Sequence, residues 1–206
     1  MPAVPWWGLV SSIAAPVLLI GGWTVAAGVQ PVPFDAVAGT ISELAARDTP
    51  HRWVMTTALV GVGLSHLLTA YALGPASPAG RVVHGLGGLA TLLVAAFPLP
   101  AGGRSSMAHT AAAAVAFVSL AVWPAFAWTR PQVPKRSAVA LLGPQACAMA
   151  TLALLLALAW FFSEQISNGP RVGLAERVAA GTQAVWPLAV VLAARRSQPH
   201  MSTAPR

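Results

Sequence analysis

The sequence predicts an all-α fold, a polytopic transmembrane bundle of six helices with a short interfacial helix in the first outer loop. Three observations carry this. First, the 206 residues are 56% hydrophobic and 8% charged, whereas a water-soluble domain carries roughly a quarter charged residues. Second, the apolar residues fall into six runs, each near the ~20 residues that cross a bilayer. Third, the charges sit in short gaps between those runs. The same figures exclude a disordered chain, which is poor in apolar residues. The single Cys147 excludes a disulfide scaffold. A net charge of +7 could attract nucleic acid, but no basic face gathers the charges, so no nucleic-acid partner is expected.

The spans are placed at about 6–29, 50–73, 81–100, 106–129, 137–162 and 173–194, with residues 1–196 as one membrane domain and 197–206 as a disordered cytosolic tail. Gly74-Pro75, Ser77-Pro78, Pro131, Pro134 and Asn168-Gly169-Pro170 supply the turn chemistry between spans. Arg195-Arg196 stops the last one. No Lys or Arg precedes Arg47, so the first run lacks the positive flank of a signal peptide and is read as a span. Pro16, Pro98, Pro124, Pro144 and Pro187 imply kinks or ends that neighbouring groups must satisfy. Gly61, Gly63, Gly85, Gly87 and Gly88 permit close helix approach. The stretch from His84 to Gly88 follows no strand and is not a dinucleotide motif.

Orientation follows from the basic residues. Arg81, Arg130, Lys135, Arg136, Arg195, Arg196 and Arg206 share one side, while Arg47, Arg52, Arg104, Arg171 and Arg177 share the other with all five acids. Both termini are therefore expected in the cytoplasm.

The longest polar gap, residues 30–51, is the most informative. Residues 35–48 read as a short surface helix. Thr40 and Glu43 form a capping box, and Ile41, Leu44 and Ala45 form an apolar face. Glu43 and Arg47 have i,i+4 spacing for an ion pair. Thr49 would cap the second span, with Pro50 at its first position. The helix would plug or lid the outer end of the bundle.

Asp35, then residues 40–47 (TISELAAR), then Arg52-Trp53-Val54-Met55, resemble the hallmark of the bacterial membrane proteins called domain of unknown function 998. Phe97-Pro98, His109 and Trp123-Pro124 are also similar. The resemblance covers about residues 6–194. It implies a six-helix integral membrane protein and no established activity, so it supplies no catalytic residue.

Ionisable groups at membrane depth are functional candidates by default. His66 lies seven residues, ~10 Å, inside the second span, and His84 lies near the inner end of the third. A neutral histidine hydrogen-bonded across helices explains each better than a proton relay, because no carboxylate shares their depth. Gln145 and Gln183 are expected to bond between helices, and Cys147 to pack. The outer end is richer, holding Asp35, Glu43, Arg47, Asp48, His51, Arg104, His109, Glu164, Glu176 and Arg177. Asp35, Glu43, Arg47, Arg104 and His109 are expected to form one ligand-binding site centred on Glu43, with Arg47, Arg104 or His109 in hydrogen-bond range of Asp35 or Glu43. Ser105 and His109 are spaced as in the metal sites of intramembrane hydrolases, but the accompanying histidines and aspartate are missing. No metal site and no cofactor is predicted.

The function these features point to is non-catalytic: an outer polar pocket, lidded by the first loop, that binds or helps move a lipid or isoprenoid-like molecule. Membrane lipids are the expected partners, with other membrane proteins a further option. The alternatives are an intramembrane enzyme acting on a lipid headgroup, and an accessory subunit of a membrane complex.

Overall fold

The computed structural model describes residues 3–102, 106–129 and 140–197. Among them the regular structure is entirely helical. Six helices are long and apolar enough to cross a membrane: α1 (Trp6–Gly28), α3 (Trp53–Ala72), α4 (Pro78–Ala96), α5 (Met107–Ala127), α6 (Pro144–Ser167) and α7 (Val172–Arg196). A single-turn helix, α2 (Ile41–Leu44), lies between the first two, and a 3-10 turn (Ala140–Leu142) precedes α6. The six long helices close a ring in which α1 packs on α3, α3 on α4, α4 on α5, α5 on α6, α6 on α7, and α7 back on α1.

Local chemistry explains the ends. Ser77 caps α4 by accepting the Gly80 N–H at 3.2 Å, and Pro78 takes the first helical position, where no N–H is needed. This span therefore starts three residues before the expected 81. It stops at Ala96, because Pro98 disfavours a helical residue before it. Ser106 caps α5 through the His109 N–H. The fifth span is shifted most from its expected 137–162. Pro144 is preorganised for a helix start, and the helix runs on until Asn168 adopts a left-handed φ of 50°. The expected cap at Thr49 is replaced by a turn. His51 has φ 54°, α3 begins at Trp53, and the Thr49 hydroxyl donates to the Glu43 carbonyl at 2.7 Å. The first three residues of that expected span are thus spent on fastening the loop. The expected tail falls outside the described residues from 198 onward, as do Arg130, Lys135, Arg136 and Arg206.

The start of α1 and the end of α7 lie together at one end of the bundle, where Arg195 Nη1 donates to the Val4 carbonyl at 2.9 Å. At that end Arg81 donates to the Ala70 and Tyr71 carbonyls at 2.9 and 2.7 Å, satisfying the last turn of α3 with a cation. Gly63 and Gly88 let α3 and α4 approach backbone to backbone; a Cβ on either would lie 2.8 or 2.9 Å from the other's carbonyl oxygen.

Some polar groups inside the ring are paired between helices. Ser11 meets Thr69 at 2.9 Å, and Gln183 donates to the Phe117 carbonyl at 3.0 Å. Gln145 does not follow the expectation. Its side chain is exposed in the first turn of α6 and makes no hydrogen bond to a described residue. Cys147 is buried packing, with its thiol near the Leu141 carbonyl.

His66 and His84 are 1% and 0% exposed and bond to each other, Nδ1 to Nε2 at 3.0 Å, while His84 stacks on Trp123. Replacing His66 with Gln retains a hydrogen-bonding side chain and should leave folding intact. His66→Leu strands His84, and interhelical hydrogen bonds in membranes are worth ~0.6–1.7 kcal/mol. Thermal unfolding in detergent should separate the two variants in that order. Equal melting of Leu and Gln variants would mean the pair contributes nothing.

Candidate functional site beneath the first loop

The opposite end of the bundle is closed by the chain between α1 and α3. Its entry is a turn in which Asp35 Oδ1 accepts the Val37 N–H at 2.8 Å and the Ala38 N–H at 3.3 Å. The turn leads to Thr40, whose extended backbone starts α2. The capping box is present: Thr40 Oγ1 accepts the Glu43 N–H, and Glu43 Oε2 accepts the Thr40 N–H, both at 3.1 Å. Ile41, Leu44 and Ala45 form the expected apolar face and pack with Met55, Leu59 and Ala112. The helix is therefore inserted into the mouth of the ring. It is also shorter than the sequence implied, ending at Leu44.

The first turns of α7 hold the loop. Glu176, 4% exposed, accepts the Ile41 N–H through Oε2, one of the donors a helix start leaves open. Arg177 Nη1 donates to the Ala36 carbonyl at 2.9 Å, the Gly39 carbonyl at 2.8 Å and the Gly173 carbonyl at 2.9 Å. Its guanidinium lies over the Trp23 and Phe34 rings, 5.9 and 5.8 Å from their centroids. The Leu174 N–H meets the Val37 carbonyl at 2.9 Å. On the other side, the Arg47 N–H reaches the Leu99 carbonyl, and Asp48 Oδ2 accepts the Gly102 N–H.

His109, in the first turn of α5, joins the loop to the bundle. Its Nδ1 lies 2.8 Å from the Phe97 carbonyl and its Nε2 lies 3.1 Å from Ser42 Oγ. A carbonyl can only accept, so Nδ1 carries a proton, and in the neutral ring Nε2 is left as an acceptor facing the Ser42 hydroxyl.

A cavity of about 490 Å³ opens beside this contact. Thr40, Ser42, Glu43, His109, Glu164 and Glu176 contribute its polar wall; Leu99, Phe117, Phe161 and Phe162 contribute its apolar wall. Glu164 is held by the Trp160 indole and the Arg171 N–H. A second, narrow cavity of about 70 Å³ continues under α2 to His66 and Gln183. Ser42, Ala113, Phe117 and Glu176 belong to both walls.

Of the five residues expected to form the site, Glu43 and His109 line the larger cavity. Asp35 is exposed and its carboxylate serves its own turn. Arg47 is exposed and is not in the lining. Arg104 lies outside the described residues. The expected contact is not made among the described residues. Neither Arg47 nor His109 bonds to Asp35 or Glu43. The reason is local. Once α2 ends at Leu44, Arg47 no longer sits one helical turn from Glu43, and each carboxylate is taken by a nearer backbone N–H.

The sequence reading left three residues out of the site: Ser42, Glu176 and Arg177. Ser42 stands next to Glu43 in the loop motif. Glu176 and Arg177 fall inside the expected last span, where an ionisable pair is itself a signal.

The sequence profile of the family described as "Protein of unknown function (DUF998)" matches residues 12–193. The chain belongs to this family. The matched region contains all the DUF998 loop residues that line the cavity, together with α3 to α6. Among curated proteins and among solved structures no match is found.

The capping box makes a graded prediction. Glu43→Gln keeps an acceptor for the Thr40 N–H and should keep the loop. Glu43→Ala removes it and should cost about 1 kcal/mol, as lost helix caps do. Hydrogen exchange at the loop amides, compared between the two variants, checks this.

Proposed function

We propose that this multi-pass protein sits in a bacterial plasma membrane with both termini cytosolic and binds, or helps move, a lipid or isoprenoid-like molecule at the cavity beneath its first loop. The carrying observation is the mixed lining of that cavity. Hydroxyls and a carboxylate of the first loop (Thr40, Ser42 and Glu43) share it with three phenylalanines of α5 and α6 (Phe117, Phe161 and Phe162). That is the polarity of a lipid whose headgroup is set above its first carbons. The volume, about 490 Å³, lies within the ~300–1,000 Å³ of small-molecule sites. Three carboxylates and no Lys or Arg occur among the described lining residues. An ammonium or polyhydroxyl headgroup suits such a wall better than a bare phosphate does.

The test is lipid analysis of the protein purified in a mild detergent. One lipid class should be enriched over the host membrane, and Phe161→Trp, which narrows the apolar wall, should reduce it. A co-purified lipid profile identical to the bulk membrane would reject the reading. Topology is checked separately. Reporter fusions after Arg206 and within residues 35–48 should report opposite sides, and an external C-terminus would reverse the orientation.

A further inference from the structure

We propose that Ser42 is a nucleophile with His109 as its general base, and that the cavity cleaves carboxylic esters of the lipids it binds. This rests on the lipid-binding reading of the same cavity and adds a reaction to it.

Nucleophilic catalysis by a hydroxyl needs three placed groups: the hydroxyl, a base within hydrogen-bond reach, and a third group that orients the base. All three are present. Ser42 Oγ lies 3.1 Å from His109 Nε2, and the Phe97 carbonyl, 2.8 Å from Nδ1, holds the ring in the tautomer whose Nε2 is free to accept. The pair sits in the wall of the larger cavity, open to a bound molecule.

The Ser42 hydroxyl, like that of Thr69, is turned toward another helix. Helical Ser and Thr ordinarily return their hydroxyls to a carbonyl three or four residues back. Ser12, Thr24, Thr57, Thr91, Ser167 and Thr182 all do so. Ser42 is the second residue of α2, where the residues three and four back precede the helix, and it is not the cap either, because Thr40 fills that role. Its hydroxyl crosses to α5, 67 residues away in sequence. From the other side, the buried Glu176 carboxylate, anchored by the Ile41 N–H, is a second acceptor beside the same hydroxyl. Glu176 is thus a positioning residue that fixes the loop carrying the nucleophile.

The chemistry balances without a further reagent. The Ser42 Oγ–H proton passes to His109 Nε2 as Oγ bonds to the ester carbonyl carbon. The bond from that carbon to the alkoxy oxygen breaks, and the departing alcohol takes the proton from His109. Water then attacks the acyl-serine, giving its proton to His109. Release of the carboxylic acid returns that proton to Oγ. The apolar wall of Phe117, Phe161 and Phe162 would receive the acyl chain, and the carboxylate-lined side the headgroup.

The experiment exposes the full-length protein in detergent micelles to a fluorophosphonate carrying a long alkyl chain, followed by intact mass and peptide mapping. A single adduct on Ser42 is expected, absent in Ser42→Ala. Labelling in His109→Gln should be at least ~100-fold slower, the lower end of general-base contributions. Lipid enrichment is measured on the same wild-type preparations as a separate readout. No adduct at Ser42 in the wild type, or equal labelling rates in a folded His109→Gln, would overturn the proposal. If His109→Gln fails to fold, the presence or absence of the wild-type Ser42 adduct decides. Enriched lipid without labelling leaves a binding site only. Ser42 labelling without enriched lipid removes the binding reading and keeps the nucleophile.

Discussion

Replacing Gly173 with Ala should detach the first loop from the bundle. A Cβ at this position would overlap the Gly39 carbonyl oxygen and lie 2.7 Å from the Gly39 carbonyl carbon and 3.0 Å from the Ala36 oxygen. These are backbone atoms, so no side chain can swing aside. The loop or the helix must move, and the same two carbonyls are the ones Arg177 holds. Overpacking of this kind costs ~1–3 kcal/mol, and each lost hydrogen bond adds about 1 kcal/mol. A large fall in melting temperature is expected, with rapid hydrogen exchange over residues 35–48. Gly21→Ala is the control. Nothing lies within 4 Å of its Cβ position, and Ala is favoured over Gly in a helix by up to ~1 kcal/mol. Similar melting of the two variants would show that the close contact carries no stability.

Glu176→Ala should have the second large effect. The carboxylate is buried and accepts the Ile41 N–H at the start of α2. Its removal leaves that donor without a partner and Arg177 without an adjacent acid. Hydrogen bonds to charged groups contribute about 1.5–3 kcal/mol. Gln at the same position can still accept from Ile41 and should recover most of the loss. Hydrogen exchange at Ile41 and Ser42 reads the effect directly. Unchanged protection in Glu176→Ala would mean the apolar face of α2 alone keeps the loop seated.

Both predictions concern a contact between residues 36–41 and 173–177, and neither could be drawn from the sequence. The loop motif there is legible as a cap followed by an apolar face, because both depend on spacings of three or four residues. Its partner on α7 is some 135 residues away. Glu176 and Arg177 could be seen as ionisable groups in an apolar run. Which backbone they satisfy depends on the ring closing α7 against α1.

The sequence by itself determined the class of this protein, because a bilayer imposes a length, an apolar composition and satisfied backbone groups on every span. It also determined the capping box at Thr40 and Glu43 and the apolar face of Ile41, Leu44 and Ala45, which are local. Span ends were less legible. They follow from which serine or proline takes the cap, as at Ser77-Pro78 and Gly143-Pro144. Tertiary structure alone decided the composition of the cavity. Asp35, Glu43 and Arg47 look alike in sequence, as charged groups of one loop. Three short-range geometries separate them: an Asx-type turn takes Asp35, the end of α2 carries Arg47 away, and Glu43 stays on the cavity wall. The pairing of Ser42 with His109 was likewise invisible. A hydroxyl and an imidazole have no periodicity to link them; only the packing of α5 against the inserted loop brings them to 3.1 Å.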